Sequence, residues 1–351
     1  MPKKIPVGVL GATGAVGQKF VALLENHPWF ELTELAASDR SAGKSYKEAT
    51  AWRQYKAIPE RLKDTQVKPC EPALDCRVVF SGLDASVAGE IEESFARAGY
   101  LVVSNSRNHR MDEDVPLLIP EINPDHLELI KVQRQRRGWS GAIVTNPNCA
   151  TIALVMALAP IHQAFGAKRV VVATLQALSG AGYSGLPAID MLGNVIPFIG
   201  GEEEKVESEP LKIMGSLDGD RIRLAGCRIS AHTNRVFVED GHMVCVSVEL
   251  EKKATPSEVA RVLAGFSSLP QELKLPSAPE RPVIVTRERD RPQPRFDRDA
   301  GNGMSAVVGR IRECPVFDIR FVVLSHNTIR GAAGAAILNA ELMKAKGIIL
   351  E

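Results

Sequence analysis

The chain lacks an excess of charge of either sign: 43 Lys and Arg stand against 42 Asp and Glu, a net charge of +1. That removes the broad electrostatic attraction on which nucleic-acid binding rests, and no basic cluster is long enough to restore it. No apolar run approaches the ~20 residues of a membrane-spanning helix, so no membrane partner is expected. Cysteine is sparse and scattered. The six, Cys70, Cys76, Cys149, Cys227, Cys245 and Cys314, include no CxxC pair. This excludes zinc-ribbon spacing, and without a signal peptide the six read as reduced thiols, not a disulfide framework. His242 stands three residues before Cys245, but an isolated pair is no metal site, and no metal is expected. There is no internal repeat and no low-complexity tract. The start, "MPKKIPVGVLGATG", is basic and then apolar, yet a glycine pattern begins inside the apolar run and no small-residue cleavage site follows. It reads as the first strand of a cytoplasmic protein.

The 351 residues suggest two domains. "IPVGVL" is an apolar strand running into "GATGAVG" and a helical stretch, "QKFVALLENH"; "ELTELAAS" is the next strand. "CRVVFSGL", "YLVVSN" and "GAIVTN" are further strands, and "ASVAGEIEESFARAG" is a helix ending at Gly99. Strands alternating with helices over residues 5 to about 165 predict an α/β fold with a Rossmann-type doubly wound parallel sheet. After residue 168 or so the pattern changes. "RVVVATLQAL", "RIRLAGCRIS", "HMVCVSVEL", "AVVGRIRE" and "DIRFVVLS" alternate in polarity and predict a second, mixed sheet. "TPSEVARVLAGF" carries a capping box, Thr255 with Glu258. The last segment, "RGAAGAAILNAELMKAKG", is a helix expected to pack back on the first domain. The expected division is 1–148 with 327–351, a nucleotide-binding domain, and 149–326, an α+β catalytic and dimerisation domain. "RERDRPQPRFDRDAGNGM" is dense in charge, Pro and Gly. It reads equally as a solvated loop or as one covering the site.

Gly11, Gly14 and Gly17 are spaced GxxGxxG between the first strand and a helix. Glycines let backbone approach a pyrophosphate, and the helix N-terminus adds N–H donors and a positive dipole. At the end of the second strand, "ASDRSAGK" places Ser38, Arg40 and Ser41 where they can receive a 2′-phosphate, which favours NADP over NAD; Asp39 would oppose it if it pointed inward.

"TNPNCAT" sets Cys149 after a strand and at the start of a helix, with Asn146 or Asn148 as its cap. A thiol there is expected to have a lowered pKa and to react with an alkylating agent ahead of the other five. A thiolate beside a nicotinamide adds to an aldehyde or acyl carbon, and hydride then passes to or from the cofactor. A histidine must handle the protons. His242, in the Gly-preceded turn "EDGHM", is where an exposed, fixed imidazole is expected.

"GATGAVGQ", "SDRSAGK", "SNSRNHRMDEDVPLLIPEIN", "TNPNCAT", "QALSGAGYSG", "IPFIGGEEEKVESE", "NRVFVEDGH", "RPQPRFDRDAGNGM" and "HNTIRGAAGAAILNAE" follow one another along nearly the whole chain. Together they resemble the aspartate-β-semialdehyde dehydrogenase family, in its archaeal and fungal branch. The resemblance implies NADPH-dependent reduction of L-aspartyl-4-phosphate, through a cysteine thioester, to the semialdehyde that leads to lysine, threonine and methionine. It makes Cys149 the nucleophile, His242 the acid/base and Gln176 the residue that orients the substrate. It implies that Arg235 clamps the substrate carboxylate, Glu202 receives the amino group, and Lys205 and Arg110 serve phosphate or substrate. Gly11, Thr13, Gly14, Ala15, Val16, Ser179, Gly180 and Asn327 would contact the cofactor. The chain departs from the family at His326, where Asp is common, and at Thr233 and Phe237, where Cys and Pro are frequent. The family works as homodimers or homotetramers. Two alternatives share the cysteine or the fold: a malonyl-CoA reductase, and a catalytically inactive NADP-binding paralogue.

Overall fold

The computed structural model describes residues 3–350. Strands β1 (Ile5–Leu10), β2 (Phe30–Ala37), β3 (Lys68–Pro69), β4 (Val78–Ser81), β5 (Leu101–Ser104) and β6 (Ala142–Thr145) form one sheet in the order β3-β2-β1-β4-β5-β6. Every pairing in it is parallel. The short strands β4, β5 and β6 are buried at every position, as expected where helices cover both faces. Helices α1 (Ala15–Leu24), α2 (Ala85–Arg97) and α3 (Leu129–Arg137) make the crossovers. Asp84 caps α2 through the N–H of Ser86, and α3 stops at Gly138, whose φ of 64° ends the helix in the left-handed region. The order reverses beside β1, so ligands are expected at the C-terminal ends of β1 and its neighbours.

Helix α4 (Cys149–Phe165) leads from β6 into the second layer. It is buried continuously from Ala150 to Ile161, because "ATIALVMALAPI" is apolar all round. The second sheet contains β7 (Ala167–Gln176), β10 (Arg228–Arg235), β11 (His242–Leu250), β12 (Val283–Val285), β13 (Ala306–Glu313) and β14 (Ile319–Ser325), in the order β10-β7-β11-β14-β13-β12. It is mixed: β10 runs parallel to β7 and β12 to β13, and the other pairs are antiparallel. Along β11, buried and half-buried residues alternate, so α4 and α6 (Pro256–Ala264) cover one face only. Between β7 and β10 lie α5 (Glu202–Ile213) and a hairpin of β8 (Ser216–Asp218) and β9 (Arg221–Arg223). "RIRLAGCRIS" is therefore not one strand: "LAGC" breaks it, with Leu224 exposed and Cys227 turned into the core. The last helix, α7 (Gly334–Ala345), shares a core cluster with β1 and β2, to which Ala336, Ile337, Ala340 and Met343 contribute. Among the described residues no helix is long and apolar enough to cross a membrane.

Candidate active site

Asn146, Pro147 and Asn148 join β6 to α4, and Cys149 is the first helical residue. Of the two candidate caps it is Asn148 that acts. Its Oδ1 accepts from the N–H of Ala150 (3.0 Å) and of Thr151 (3.2 Å), donors that a helix start leaves without partners. The rest of Asn148 is also bonded. Its N–H donates to Glu209 Oε2 at 2.7 Å, and its Nδ2 donates to both oxygens of Glu202 at 3.0 and 2.9 Å.

Both glutamates come from α5, seven residues apart and so on one helix face. That face continues to Lys212, whose buried Nζ donates to the carbonyls of Arg110, Asp112 and Val115 at 2.7 to 2.8 Å. Glu209 also accepts from Arg110 Nη1 at 2.9 Å, and Arg110 Nη2 donates to the Asn105 carbonyl at 2.7 Å. The Nε of Arg110 is buried and has no protein partner. One helix thus holds the turn before Cys149 and the loop that carries Arg110. Buried charges persist here because each is paired with an opposite charge or, like Lys212, bonded to carbonyls. Glu202 is an example: burial raises its pKa, but Lys205 Nζ at 2.7 Å, with Asn148 and Gln176, outweighs that and keeps it a carboxylate.

The thiol does not behave as its place on the helix suggested. Burial and the Glu202 carboxylate push it up to about 12, against the opposing pull of Arg110, Arg235 and the Ala150 N–H. The expected lowering of the Cys149 pKa is corrected: the thiol is pushed up, not down. The thiol whose pKa falls is that of Cys314, where the N–H groups of Phe317 and Val316 outweigh burial.

His242 opens β11 behind Gly241, whose φ is 104°. It was expected to be exposed and is fully buried. Its Nδ1 accepts the N–H of Ala177 at 3.1 Å. An amide N–H can only donate, so the neutral ring carries its proton on Nε2, which has no partner. Burial, reinforced by Arg235, pulls the imidazole pKa down to about 3. His242 is therefore a neutral hydrogen-bond donor at ordinary pH. Arg235, ending β10, donates from Nη1 to the Ala177 carbonyl at 2.8 Å. Gln176, ending β7, donates to Glu202 at 3.3 Å. Gly180 lies directly over His242 and Arg235: a Cβ on it would fall 3.0 Å from His242 Nε2 and 2.9 Å from Arg235 Nη1.

Cys149 opens on a cavity of about 740 Å³. Ala15 and Val16 of α1 line it, as do Arg110, Asn148, Ser179, Gly180 and Asn327. Gln176, Glu202, Lys205, Arg235 and His242 do not line it themselves; they stand behind Asn148 and Gly180. Asn327 is tied on both sides, accepting from Gly241 N at 2.8 Å and donating to Ser179 Oγ at 2.7 Å. The glycine turn has the geometry of a phosphate cradle. Gly11 has φ 75°, and a Cβ on Gly17 would fall 2.1 Å from the Gly11 carbonyl, whereas one on Gly14 would meet nothing nearer than 3.4 Å. Gly14 therefore leaves its outer side open for a ligand, and the cradle fits a dinucleotide. Thr13 lends only its carbonyl, to Gln18 Nε2 at 2.9 Å. Ser38, Arg40 and Ser41 lie outside the cavity lining, in a turn closed by Ser41 N to Ser38 O at 2.8 Å, with the Arg40 side chain exposed. The turn stands beside the glycines, because Ala12 N donates to Ala36 O at 2.9 Å. The segment 287–304 packs behind the His242 turn, with Pro294 and Arg298 against Gly241, and does not line the cavity.

Sequence reasoning missed four residues. Glu209 and Lys212 continue the Glu202 face at i+7 and i+10, a periodicity that could have found them. Lys19, one turn into α1, lines the cavity. Gly331 packs on Cys149, since a Cβ there would fall 2.7 Å from that of Cys149; no local pattern announces this.

A nucleotide-type sheet whose glycine turn leads into a helix lining the same cavity as a helix-start cysteine defines a dehydrogenase acting at an aldehyde or acyl carbon. Comparison with known proteins narrows this class. Family models match residues 6–130 as a semialdehyde dehydrogenase NAD-binding domain and 158–330 as the dimerisation domain. Aspartate-semialdehyde dehydrogenase of Archaeoglobus fulgidus is 53% identical over 98% of this chain and 99% of its own length; that of Schizosaccharomyces pombe is 49% identical over 98% and 99%. The crystal structure of the Candida albicans enzyme with NADP superposes with a TM-score of 0.91 at 43% identity, covering 99% of this chain and all of that one. The chain belongs to the aspartate-semialdehyde dehydrogenase family.

Proposed function

We propose that the chain reduces L-aspartyl-4-phosphate to L-aspartate 4-semialdehyde, releasing phosphate, with NADPH as reductant and a thioester on Cys149 between the two half-reactions. The observation that carries the reading is that Cys149 and the glycine-turn helix line one cavity.

Gly11, Thr13, Gly14, Ala15 and Val16 would hold the cofactor's pyrophosphate, Ser38, Arg40 and Ser41 its 2′-phosphate, and Ser179, Gly180 and Asn327 its nicotinamide end. When bound, NADPH supplies the hydride. The protein's own groups do the rest. Cys149 sulfur adds to the acyl carbon, the carbon–oxygen bond to phosphate breaks, and the thiol proton departs on phosphate as HPO₄²⁻. A thiol held near pKa 12 gives up its proton as the carbon–oxygen bond breaks, when the departing phosphate becomes basic enough to take it. His242 Nε2–H donates to the carbonyl oxygen as negative charge develops there, a role that suits a neutral ring kept from protonating. Arg235 receives the substrate carboxylate with its planar fork. Glu202 takes the amino group, Gln176 orients the acyl carbon, and Lys205 and Arg110 receive phosphate.

The division into 1–148 with 327–351 and 149–326 is supported by the packing of α7 on β1 and β2. Free cysteines among the described residues support a cytoplasmic enzyme. A homodimer or homotetramer is supported by an exposed apolar row. Tyr183, Leu186, Ile189, Leu192, Val195 and Phe198 recur every third residue and are each more than a third exposed; Tyr183 and Leu186 also line the catalytic cavity, and the remaining four are the kind of exposed apolar side chains an interface covers. Sedimentation velocity of Ile189→Asp reads this directly: a smaller species than wild type is expected, and an unchanged one removes the row from the interface.

The deciding experiment follows reduced-cofactor absorbance with phosphate, NADP and aspartate semialdehyde, or with malonic semialdehyde or malonyl-CoA. Phosphate-dependent turnover of aspartate semialdehyde is expected. A preference for malonyl-CoA overturns the substrate, and no turnover of any overturns the activity.

A further inference from the structure

A second cavity, of about 750 Å³, shares no residue with the first. It opens between α6, the residues following β12, and β13. Arg261, Arg287, Arg289, Arg310 and Arg312 line it, against one carboxylate, Glu288. Where arginine is held close to a carboxylate in this chain it is paired, as Arg291 is with Asp297 and Arg330 with Glu121. None of these five makes an ion pair among the described residues. The nearby carboxylates are committed to backbone: Glu288 accepts the N–H of Arg287 at 3.0 Å, and Glu258 caps α6 through Thr255 N at 2.7 Å.

The backbone also gathers these charges instead of dispersing them. The register of β13 against β14 slips between Gly309 and Arg312, a bulge that re-aims side chains. Within it Arg310 sits at φ 59°, a conformation side chains other than glycine rarely adopt. Arg312 Nη1 is spent on the Arg310 carbonyl at 2.7 Å. Burial lowers the Arg312 pKa, and the like charges of Arg320 and Arg310 lower it further. In a chain with a net charge of only +1, this local concentration of positive charge favours an anion from outside. The floor is apolar, made by Ala260, Ala264, Val285 and Ile311.

We propose that this cavity binds an organic anion of nucleotide size carrying two or more phosphate groups. Guanidinium forks match phosphate oxygens two at a time. Several arginines against one carboxylate suit a polyanion better than a single phosphate. The apolar floor accommodates an organic portion, and the volume lies within the roughly 300–1,000 Å³ of small-molecule sites. This site stands independently of the aspartate reading.

The probe is ATP, titrated calorimetrically into the full chain saturated with NADPH, with inorganic triphosphate as the second arm. Saturable binding that weakens with added salt is expected. The double variant Arg287→Ala/Arg289→Ala, both exposed and outside the catalytic cavity, should weaken it at least about tenfold with kcat and NADPH affinity unchanged. Triphosphate that binds as tightly as ATP overturns the organic part of the proposal. The site itself is overturned by absence of binding, by competition between ATP and NADPH, or by a double variant that binds as wild type. A double variant that changes the sedimentation coefficient while ATP fails to bind shows a subunit contact in its place, and also overturns it.

Discussion

Two strand-to-helix turns of the first sheet lead to the catalytic cavity, one after β1 and one after β6, and they are built on opposite plans. The turn after β1 is made of what is missing. Gly14 caps α1 without a side chain, Gly17 is jammed against the Gly11 carbonyl, and the groups the turn can offer a ligand are backbone N–H. The turn after β6 is made of what is bonded. Asn148 uses its amide, its side-chain oxygen and its side-chain nitrogen at once, and Asn146 donates to Asn105 and Ala332. The first turn makes room for a ligand that supplies its own charge. The second fixes one sulfur atom, so it needs partners on every side. Substitutions should accordingly act through steric fit in the first and through electrostatics and positioning in the second.

The largest effect is expected at the second turn. Cys149→Ser should cost about 10⁴-fold or more in kcat with the thermal midpoint and NADPH affinity unchanged; near wild-type turnover would dissociate the turn from the chemistry. At the first turn, Gly17→Ala and Gly14→Ala should separate. Gly17→Ala forces backbone apart and should destabilise by about 3 kcal/mol or more. Gly14→Ala should leave the melting temperature alone and weaken NADPH, as a fluorescence titration would read. Equal melting temperatures for the two variants would remove the steric account. Arg235→Lys keeps the charge but loses the fork. A loss of about 2–4 kcal/mol, or roughly 30- to 1000-fold in kcat/KM for aspartate semialdehyde, is expected, and an unimpaired variant rules out the carboxylate clamp.

A smaller effect concerns pH. The folded-state pKa of His242 lies near 3, below its ordinary 6.5. Between those values the unfolded chain takes up a proton that the folded protein refuses, so stability falls as pH drops through that window and is unaffected above it. Urea denaturation at pH 7 and pH 5 should show this slope, at most about 1.4 kcal/mol per pH unit from this group, and His242→Asn should flatten it. An imidazole that titrates near 6.5 by NMR would contradict the neutral donor. The smallest effect is at Arg40, which is exposed. Arg40→Ala should raise the KM for NADP by roughly threefold to tenfold and leave that for NAD almost unchanged; equal changes in both would place the 2′-phosphate elsewhere.

The parallel sheet, the glycine turn, the helix-start cysteine and the mixed second sheet were legible because each depends on local pattern: apolar runs, glycine spacing, alternation. Glu209 and Lys212 were less so. A run such as "EEEKVESEPLK" looks like a solvated helix face, and only the loop it packs against shows that the face is buried. The state of the thiol was misread for the same reason. A helix start lowers a pKa locally, but the burial and the Glu202 carboxylate that outweigh it come from elements far off in the chain. His242 shows the converse: its position was readable, its burial and proton placement were not.

The raised pKa of Cys149 has a consequence for chemical durability. Peroxide and other oxidants attack thiolate, not thiol. With its proton retained, the Cys149 thiol should oxidise slowly although it opens on the cavity, while Cys314 bears the lower pKa. On the proposed mechanism the sulfur keeps its proton until a substrate able to carry it off arrives, so oxidative inactivation should track catalytic use more than time spent in storage.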